Sequence, residues 1–269
     1  MTKLCFIGID GVRWDKASAP DVAPWLMKLA REGSVTPMWM VPPTDSGPGW
    51  ATLLTGCPHE ETNVYDNEFV AHRLGHCPDL LSQMWFRDYT TRTMAAVTWR
   101  QLADPHGRAP VIHTRPDQIR AKLHQLHIRD GETYGCVRAD EEVQAVAARV
   151  IREEGPDGSF IHLEGVDEAG HNYGSEGREY TEAISRIDEI IRCIWKAVDE
   201  RVRLYDEDWL IAIATDHGHK PEGGHGEDEE IVRRSFLVLN RFGRELPDLG
   251  DEIRPIDVTP LLLRLTNPQ

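Results

Sequence analysis

Residues 209–219 read WLIAIATDHGH. Six apolar residues run without a break, then give way to Thr215, Asp216, His217, Gly218 and His219. A run this short and this apolar is the pattern of a β-strand buried on both faces, and the glycine after the acid marks a turn. The pattern recurs upstream. Lys3–Ile9 (KLCFIGI) ends at Asp10-Gly11, and residues 159–163 (SFIHL) run out toward Asp167. Strands buried on both faces belong to parallel sheets covered by helices.

The intervening sequence supplies those helices. Helical spacing of apolar residues is legible at 24–31, 79–87, 140–154 and 257–265. At 179–198 it places Tyr180, Ile184, Ile187, Ile191, Ile194 and Val198 on one face. Further strands are expected at 35–41, 93–98 and 235–239. The alternation predicts an α/β fold, with a single mostly parallel β-sheet and helices on both faces. With no repeat or linker, residues 1–269 read as one catalytic domain. The polar stretch 104–135, rich in His, Pro and Arg, is expected to be an irregular rim.

In open parallel sheets ligands bind outside the carboxyl ends of the strands. Asp10, Asp167 and Asp216 would therefore converge on one edge. Histidines accompany them: His171 four residues after Asp167, His217 beside Asp216, and His225 in a glycine-rich loop (EGGHGE). Singly, each of these is an ordinary turn acid or solvated histidine. Jointly, three Asp and three His form a mixed N,O donor set suited to Zn²⁺, and also to Mn²⁺ or Fe²⁺, more than to Mg²⁺ or Ca²⁺. Six ligands exceed one open catalytic site and fit two divalent ions of three ligands each.

Residues 44–56 (TDSGPGWATLLTG) offer a nucleophile. Ser46 precedes Gly-Pro-Gly and a helical run, which places its hydroxyl at a helix N-terminus, where negative charge is stabilised. Taken alone, Ser46 reads as an ordinary N-cap. Metal coordination can activate such a hydroxyl without a histidine partner.

The formal net charge is −15 over 269 residues. That balance argues against a nucleic-acid polymer as partner, because phosphate backbones are gripped by Lys and Arg. It leaves a small phosphate ester open as substrate, since bound cations reverse the local field. Neither a secretory segment nor an apolar run of membrane-spanning length is legible. The five cysteines are scattered and odd in number, as expected of reduced thiols. A cytoplasmic protein without a membrane partner is expected, and nothing sets an oligomeric state.

Together these residues resemble the alkaline phosphatase superfamily, and most closely its type I phosphodiesterase/nucleotide pyrophosphatase branch. The resemblance rests on Asp10-Gly11, Ser46 nine residues before Thr55-Gly56, and Asn67. It continues through Asp167-x-x-x-His171, Asp216-His217-Gly218 and His225, and so spans nearly the whole chain. It implies that Asp10, Asp216 and His217 hold one metal, which also binds Ser46, and that Asp167, His171 and His225 hold the other. It also implies that Asn67 donates to a non-bridging phosphoryl oxygen. The branch often carries His-Gly shortly before that Asn, where this chain has Thr62 and Asn63. Ser46-Gly-Pro-Gly lacks the arginine of sulfatase signatures.

The function so implied is hydrolysis of phosphodiester or pyrophosphate bonds, in a nucleotide-like small molecule, through a phosphoseryl intermediate on Ser46. A phosphomonoesterase or phosphonate hydrolase on the same scaffold is the alternative, and a catalytically silent metal- or nucleotide-binding protein is one of another class. Trp14, Trp50, Tyr65, Phe69 and Tyr173 are candidates to stack on a base, and Arg13 to meet a second phosphate.

Overall fold

The alternation of side chains along Lys3–Ile9 (β1) organises the molecule. Leu4 and Phe6 enter the apolar core on one face of the sheet; Cys5, Ile7 and Ile9 enter the core on the other. The computed structural model describes residues 2–242 and 244–266. The remaining strands are Ser34–Trp39 (β2), Thr93–Val97 (β3), His124–Ile128 (β4), Gly158–Leu163 (β5), Trp209–Ala214 (β6) and Arg234–Arg241 (β7). They form one sheet in the order β2-β7-β6-β1-β5-β3-β4. Within the order β6-β1-β5-β3-β4 every pair is parallel; β7 runs antiparallel to both β6 and β2. The sheet is therefore mostly parallel, as expected, and β7 alone is reversed.

Each face is covered by helices. The long helix Arg178–Tyr205 buries Tyr180, Ala183, Ile184, Ile187, Ile191, Ile194 and Val198. It packs against Cys136–Glu154, Gly165–Tyr173 and Pro24–Glu32. The buried Asp188 of the long helix accepts from Trp25 N (3.0 Å) and Leu26 N (2.8 Å). It thereby satisfies the first free N–H groups of Pro24–Glu32, whose leading proline has none to offer. The opposite face carries Ser46–Thr55, Leu80–Arg87 and Val258–Thr266.

The stretch 104–135 departs from the expected irregular rim. It contains β4, which pairs with β3 in parallel, and two short helices, Pro116–Arg120 and Gly131–Tyr134. The sequence HQLHI conceals the strand because an edge strand, half exposed, tolerates polar residues. Only the end of this stretch, at Glu132, reaches the cleft described below.

Gly8 shows how tightly the sheet holds the nucleophile helix. A Cβ at Gly8 would lie 2.4 Å from Trp50 Cη2. Gly8→Ala is expected to destabilise the fold by about 1–3 kcal/mol through overpacking, read as a lower urea midpoint at constant m-value. An unchanged midpoint would show that Trp50 can yield.

Candidate active site

Because β1, β5 and β6 are parallel and in register (Gly8 with Ala214, Ile9 with Leu163), their carboxyl ends share one edge. Asp10 follows β1 directly and its N–H donates to Leu163 O (2.9 Å), so it sits between the loops that leave β5 and β6. β2 runs in the same direction, since it is antiparallel to β7, and delivers Ser46 to the same edge. The convergence expected for Asp10, Asp167 and Asp216 is what the topology produces.

Asp10 is 1% exposed and every oxygen is engaged. Its Oδ2 accepts from Trp50 Nε1 (2.9 Å) and lies 3.0 Å from His162 Nε2. Its Oδ1 lies 3.2 Å from His217 Nε2 and 3.3 Å from Ser46 Oγ. Ser46 Oγ is also 3.3 Å from His217 Nε2. Ser46 is the first residue of its helix; Asp45 occupies the cap position and makes no capping bond. Ser46 is thus not an N-cap, and its hydroxyl faces the acids. Gly49 allows the approach, since a Cβ there would stand 2.9 Å from Asp216 Cβ.

Asp167 and His171 lie on consecutive turns of Gly165–Tyr173. The buried Asp140 fixes the start of that helix by accepting from Glu164 N (3.0 Å) and Gly165 N (2.9 Å). Burial pushes the Asp140 carboxyl up to about 7. His171 Nε2 is 3.5 Å from Asp167 Oδ2 and 3.0 Å from His225 Nε2. His225 Nε2 is 3.5 Å from Asp167 Oδ1.

These groups fit divalent cations. His217 Nδ1 lies 3.0 Å from Gly218 O, and His225 Nδ1 lies 3.1 Å from Thr44 O. A carbonyl can only accept, so each Nδ1 carries a proton and each ring aims its Nε2 at carboxylates. At 3.2–3.5 Å from carboxylate oxygens, these Nε2 atoms face a place where positive charge is favoured, whether carried by a proton or by a bound cation. Asp216 Oδ2 is buried with no hydrogen-bond partner, and Asp216 Oδ1 takes only a long bond from Gly11 N (3.3 Å). Burial, then Asp10 and Asp167, push the Asp216 carboxyl well above the carboxylate range. Burial opposes charge on His217, yet Asp216, Asp10 and Asp167 together raise it to about 10. A surplus of negative charge adds to burial in raising Asp216 and overcomes burial in raising His217. Asp10, Asp167 and His217 offer ligand atoms within 4.8 Å of one another, as do Asp167, His171, His219 and His225.

Two residues escaped the sequence reading. His219 is fully buried, with Nε2 2.7 Å from Asp167 Oδ1. The signal was the second histidine of Asp-His-Gly-His. His162 lies inside β5, where a histidine amid apolar residues marked a buried polar contact, here with Asp10. Asn67 lines the cleft: its Oδ1 accepts from Gly47 N (2.7 Å), and its amide Nδ2 is left as a donor. The residues proposed for base stacking scatter. Trp50 and Phe69 are buried, Trp14 packs on Phe236, and Tyr65 and Tyr173 are exposed. Arg13 is 6% exposed and engaged by Asp15, Ser175 and Glu176.

Trp50→Phe keeps an aromatic ring of smaller volume and deletes the donor to Asp10. Loss of such an outer partner is expected to weaken metal affinity by roughly 10–100-fold, measured by competition with a zinc chelator. Unaltered affinity would mean that His162 alone orients Asp10.

Residues 4–241 match the family described as Type I phosphodiesterase / nucleotide pyrophosphatase. Among curated proteins, the chain is 29% identical over 110 residues to the human GPI ethanolamine phosphate transferase 3 catalytic subunit. It is 25% identical over 287 residues to GPI ethanolamine phosphate transferase 1 of Aspergillus fumigatus. These alignments cover 39% and 93% of this chain, but only 10% and 26% of the relatives. The fold is that of murine ectonucleotide pyrophosphatase/phosphodiesterase 5, solved in complex with AMP. Here the TM-score is 0.70 at 15% identity, covering 99% of this chain and 95% of that one. It is also that of phosphonoacetate hydrolase from Sinorhizobium meliloti, with a TM-score of 0.63 at 13% identity, covering 99% and 96%.

Proposed function

The chain belongs to the type I phosphodiesterase / nucleotide pyrophosphatase family of the alkaline phosphatase superfamily, and from that premise we propose that it hydrolyses small phosphodiesters or pyrophosphates with Ser46 as nucleophile. The carrying observation is Ser46 Oγ at 3.3 Å from both Asp10 and His217, at a helix N-terminus opening on a cleft.

Asp10, Asp216 and His217 would hold one divalent ion, shared with Ser46, and Asp167, His171 and His225 the other. His219 braces Asp167. The donor set favours Zn²⁺, with Mn²⁺ or Fe²⁺ as substitutes. When bound, the two ions supply Lewis acidity that favours the ionised Ser46 oxygen and offsets charge on the phosphoryl and leaving oxygens.

The chain's own groups do the rest. The N-terminus of Ser46–Thr55 favours negative charge on Ser46 Oγ. Asn67 Nδ2 donates to a non-bridging oxygen and so orients phosphorus for in-line attack. Ser46 Oγ gives up its proton to solvent, the Oγ–P bond forms as the ester P–O bond breaks, and the departing alkoxide takes a proton from solvent. Water then displaces Ser46 from the phosphoseryl ester and regenerates the hydroxyl.

The test is kcat/KM for an aryl phosphodiester and the matching monoester, using metal-stripped protein reloaded with Zn²⁺ or Mn²⁺. A diester preference is expected. A monoester preference would make the protein a phosphatase with the same nucleophile. The curated relatives favour a second reading, in which an alcohol replaces water in the second half-reaction. Added glycerol would then divert product to its phosphodiester.

A further inference from the structure

All five cysteines are free, and two of them meet far from one another in sequence. The Sγ atoms of Cys57 and Cys77 and a carboxylate oxygen of Glu61 lie within 4.8 Å of one another. Cys57 is half-buried and follows Gly56, the left-handed cap of the nucleophile helix Ser46–Thr55. Its N–H donates to Thr55 Oγ1 (3.0 Å), which fixes it to the last turn. Cys77 is 3% exposed and stands two residues before Asp79, the cap of Leu80–Arg87. Gln83 joins the two helix ends, since its Nε2 donates to both Thr55 O (2.9 Å) and Pro78 O (2.7 Å).

The chain between the two thiols carries Asn67. It holds the short helix His59–Thr62, the exposed tip 65–68 and the turn Leu74–His76. Phe69 and Ala71 sit in it at φ 54°, in the left-handed region that residues with a side chain seldom adopt. Such backbone persists where its surroundings hold it. The neck of the segment is held by Asn63 Nδ2 donating to Ala71 O (2.9 Å) and Arg73 N donating to Thr62 O (2.6 Å).

The chemistry of the trio favours sulfur over metal. Three donors are one short of the four ligands that a structural zinc takes, and one of the three is an exposed carboxylate. Two neighbouring thiols suit thiol–disulfide exchange. Burial, then Cys57 and Glu61, push the Cys77 thiol up to about 12. Cys77 is thus kept protonated, and the more accessible Cys57 is the thiol that meets a reagent.

We infer that Cys57 and Cys77 form a redox-modifiable pair, closed to a disulfide by a small-molecule disulfide such as oxidised glutathione, and that the closed pair clasps the segment presenting Asn67. The Cys57 thiolate attacks one sulfur of the reagent; a new S–S bond forms, and one glutathione leaves as thiolate and takes up a proton. That step removes the Cys57 charge that helps keep Cys77 protonated. Cys77 then loses its proton to solvent, attacks Cys57 Sγ and expels the second glutathione. Two protein thiols are oxidised, and one glutathione disulfide is reduced to two thiols. The pair takes no part in ester cleavage, so the inference stands whichever ester the protein cleaves.

The test treats reduced, Zn²⁺-loaded protein, freed of excess metal, with oxidised glutathione at mildly alkaline pH and maps tryptic peptides without reduction. Residues 32–73 form one such peptide, with Cys57 its only cysteine, and residues 74–87 the next, with Cys77. The two are expected to be joined. Cys77→Ala should instead trap glutathione on Cys57, and Cys57→Ala should show neither the bond nor an adduct on Cys77. Closure should raise Tm by roughly 5 °C. It should also slow tryptic cutting of the folded protein after Arg73 by roughly tenfold, because Leu74 is buried and cutting requires the segment to open. Neither shift should appear in Cys57→Ala. Peptides that stay separate, a stable glutathione adduct on wild-type Cys57, or a joined pair with an unmoved cutting rate would overturn the proposal. So would an equivalent of Zn²⁺ that wild type keeps and Cys57→Ala loses, which would assign the trio to a metal.

Discussion

Ser46→Ala is expected to lower kcat/KM for an aryl phosphodiester by about 10⁴-fold or more, while the protein keeps its fold and most of its metal affinity. Ser46 Oγ is the one hydroxyl within 3.3 Å of both Asp10 and His217 among the described residues. Alanine removes that oxygen without touching the carboxylates. The first half-reaction then has no acceptor for the phosphoryl group. Intact-mass measurement during turnover gives the second readout: a phosphoryl adduct on wild type and none on the variant. Wild-type turnover by Ser46→Ala would mean that water attacks directly and Ser46 only binds.

The second large effect concerns Asp216 and has two opposite signs. Asp216→Asn is expected to cut metal affinity by at least about 100-fold, beyond what loss of an outer partner does. The same substitution should stabilise the metal-free protein by about 1–3 kcal/mol, because it removes a negative charge buried beside other carboxylates. It also removes repulsion from Asp10 and Asp167. In thermal melts the metal-free variant should therefore exceed metal-free wild type, and added Zn²⁺ should raise Tm in wild type but little in the variant. A metal-free variant that melts below wild type would show that Asp216 is structural, held by Gly11 N.

What could be read from the chain follows from which forces are local. Short unbroken apolar runs, each followed by an acid and a glycine, announced β1, β5 and β6 and the edge where Asp10 and Asp216 meet. Strand direction is not local. Nothing in SFLVL distinguishes a parallel strand from the antiparallel β7, because either is buried on both faces. The edge strand β4 was lost for the reverse reason: its polar residues satisfy an exposed flank and mimic a loop. Among site residues, Asp10, Ser46 and His217 stood next to turn signals. His219 did not separate from an ordinary solvated histidine until the fold closed over it.

The strand order has a kinetic consequence. β1, flanked by β6 and β5, is the innermost strand, and Asp10, Asp216 and His217 hang from the ends of β1 and β6 with at most 1% exposure. Opening them to solvent means separating the middle of the sheet, which costs close to the whole free energy of unfolding. His171 sits on a helix end with its side chain 49% exposed, and His225, its side chain 6% exposed, is held by a loop and not by a strand. Local fraying of the helix end frees His171 without opening the sheet. A chelator should therefore draw off the two ions in separate phases, a fast one from the His171–His225 side. The slow one from the Asp10 side would be paced by the same rare events that govern amide exchange in β1.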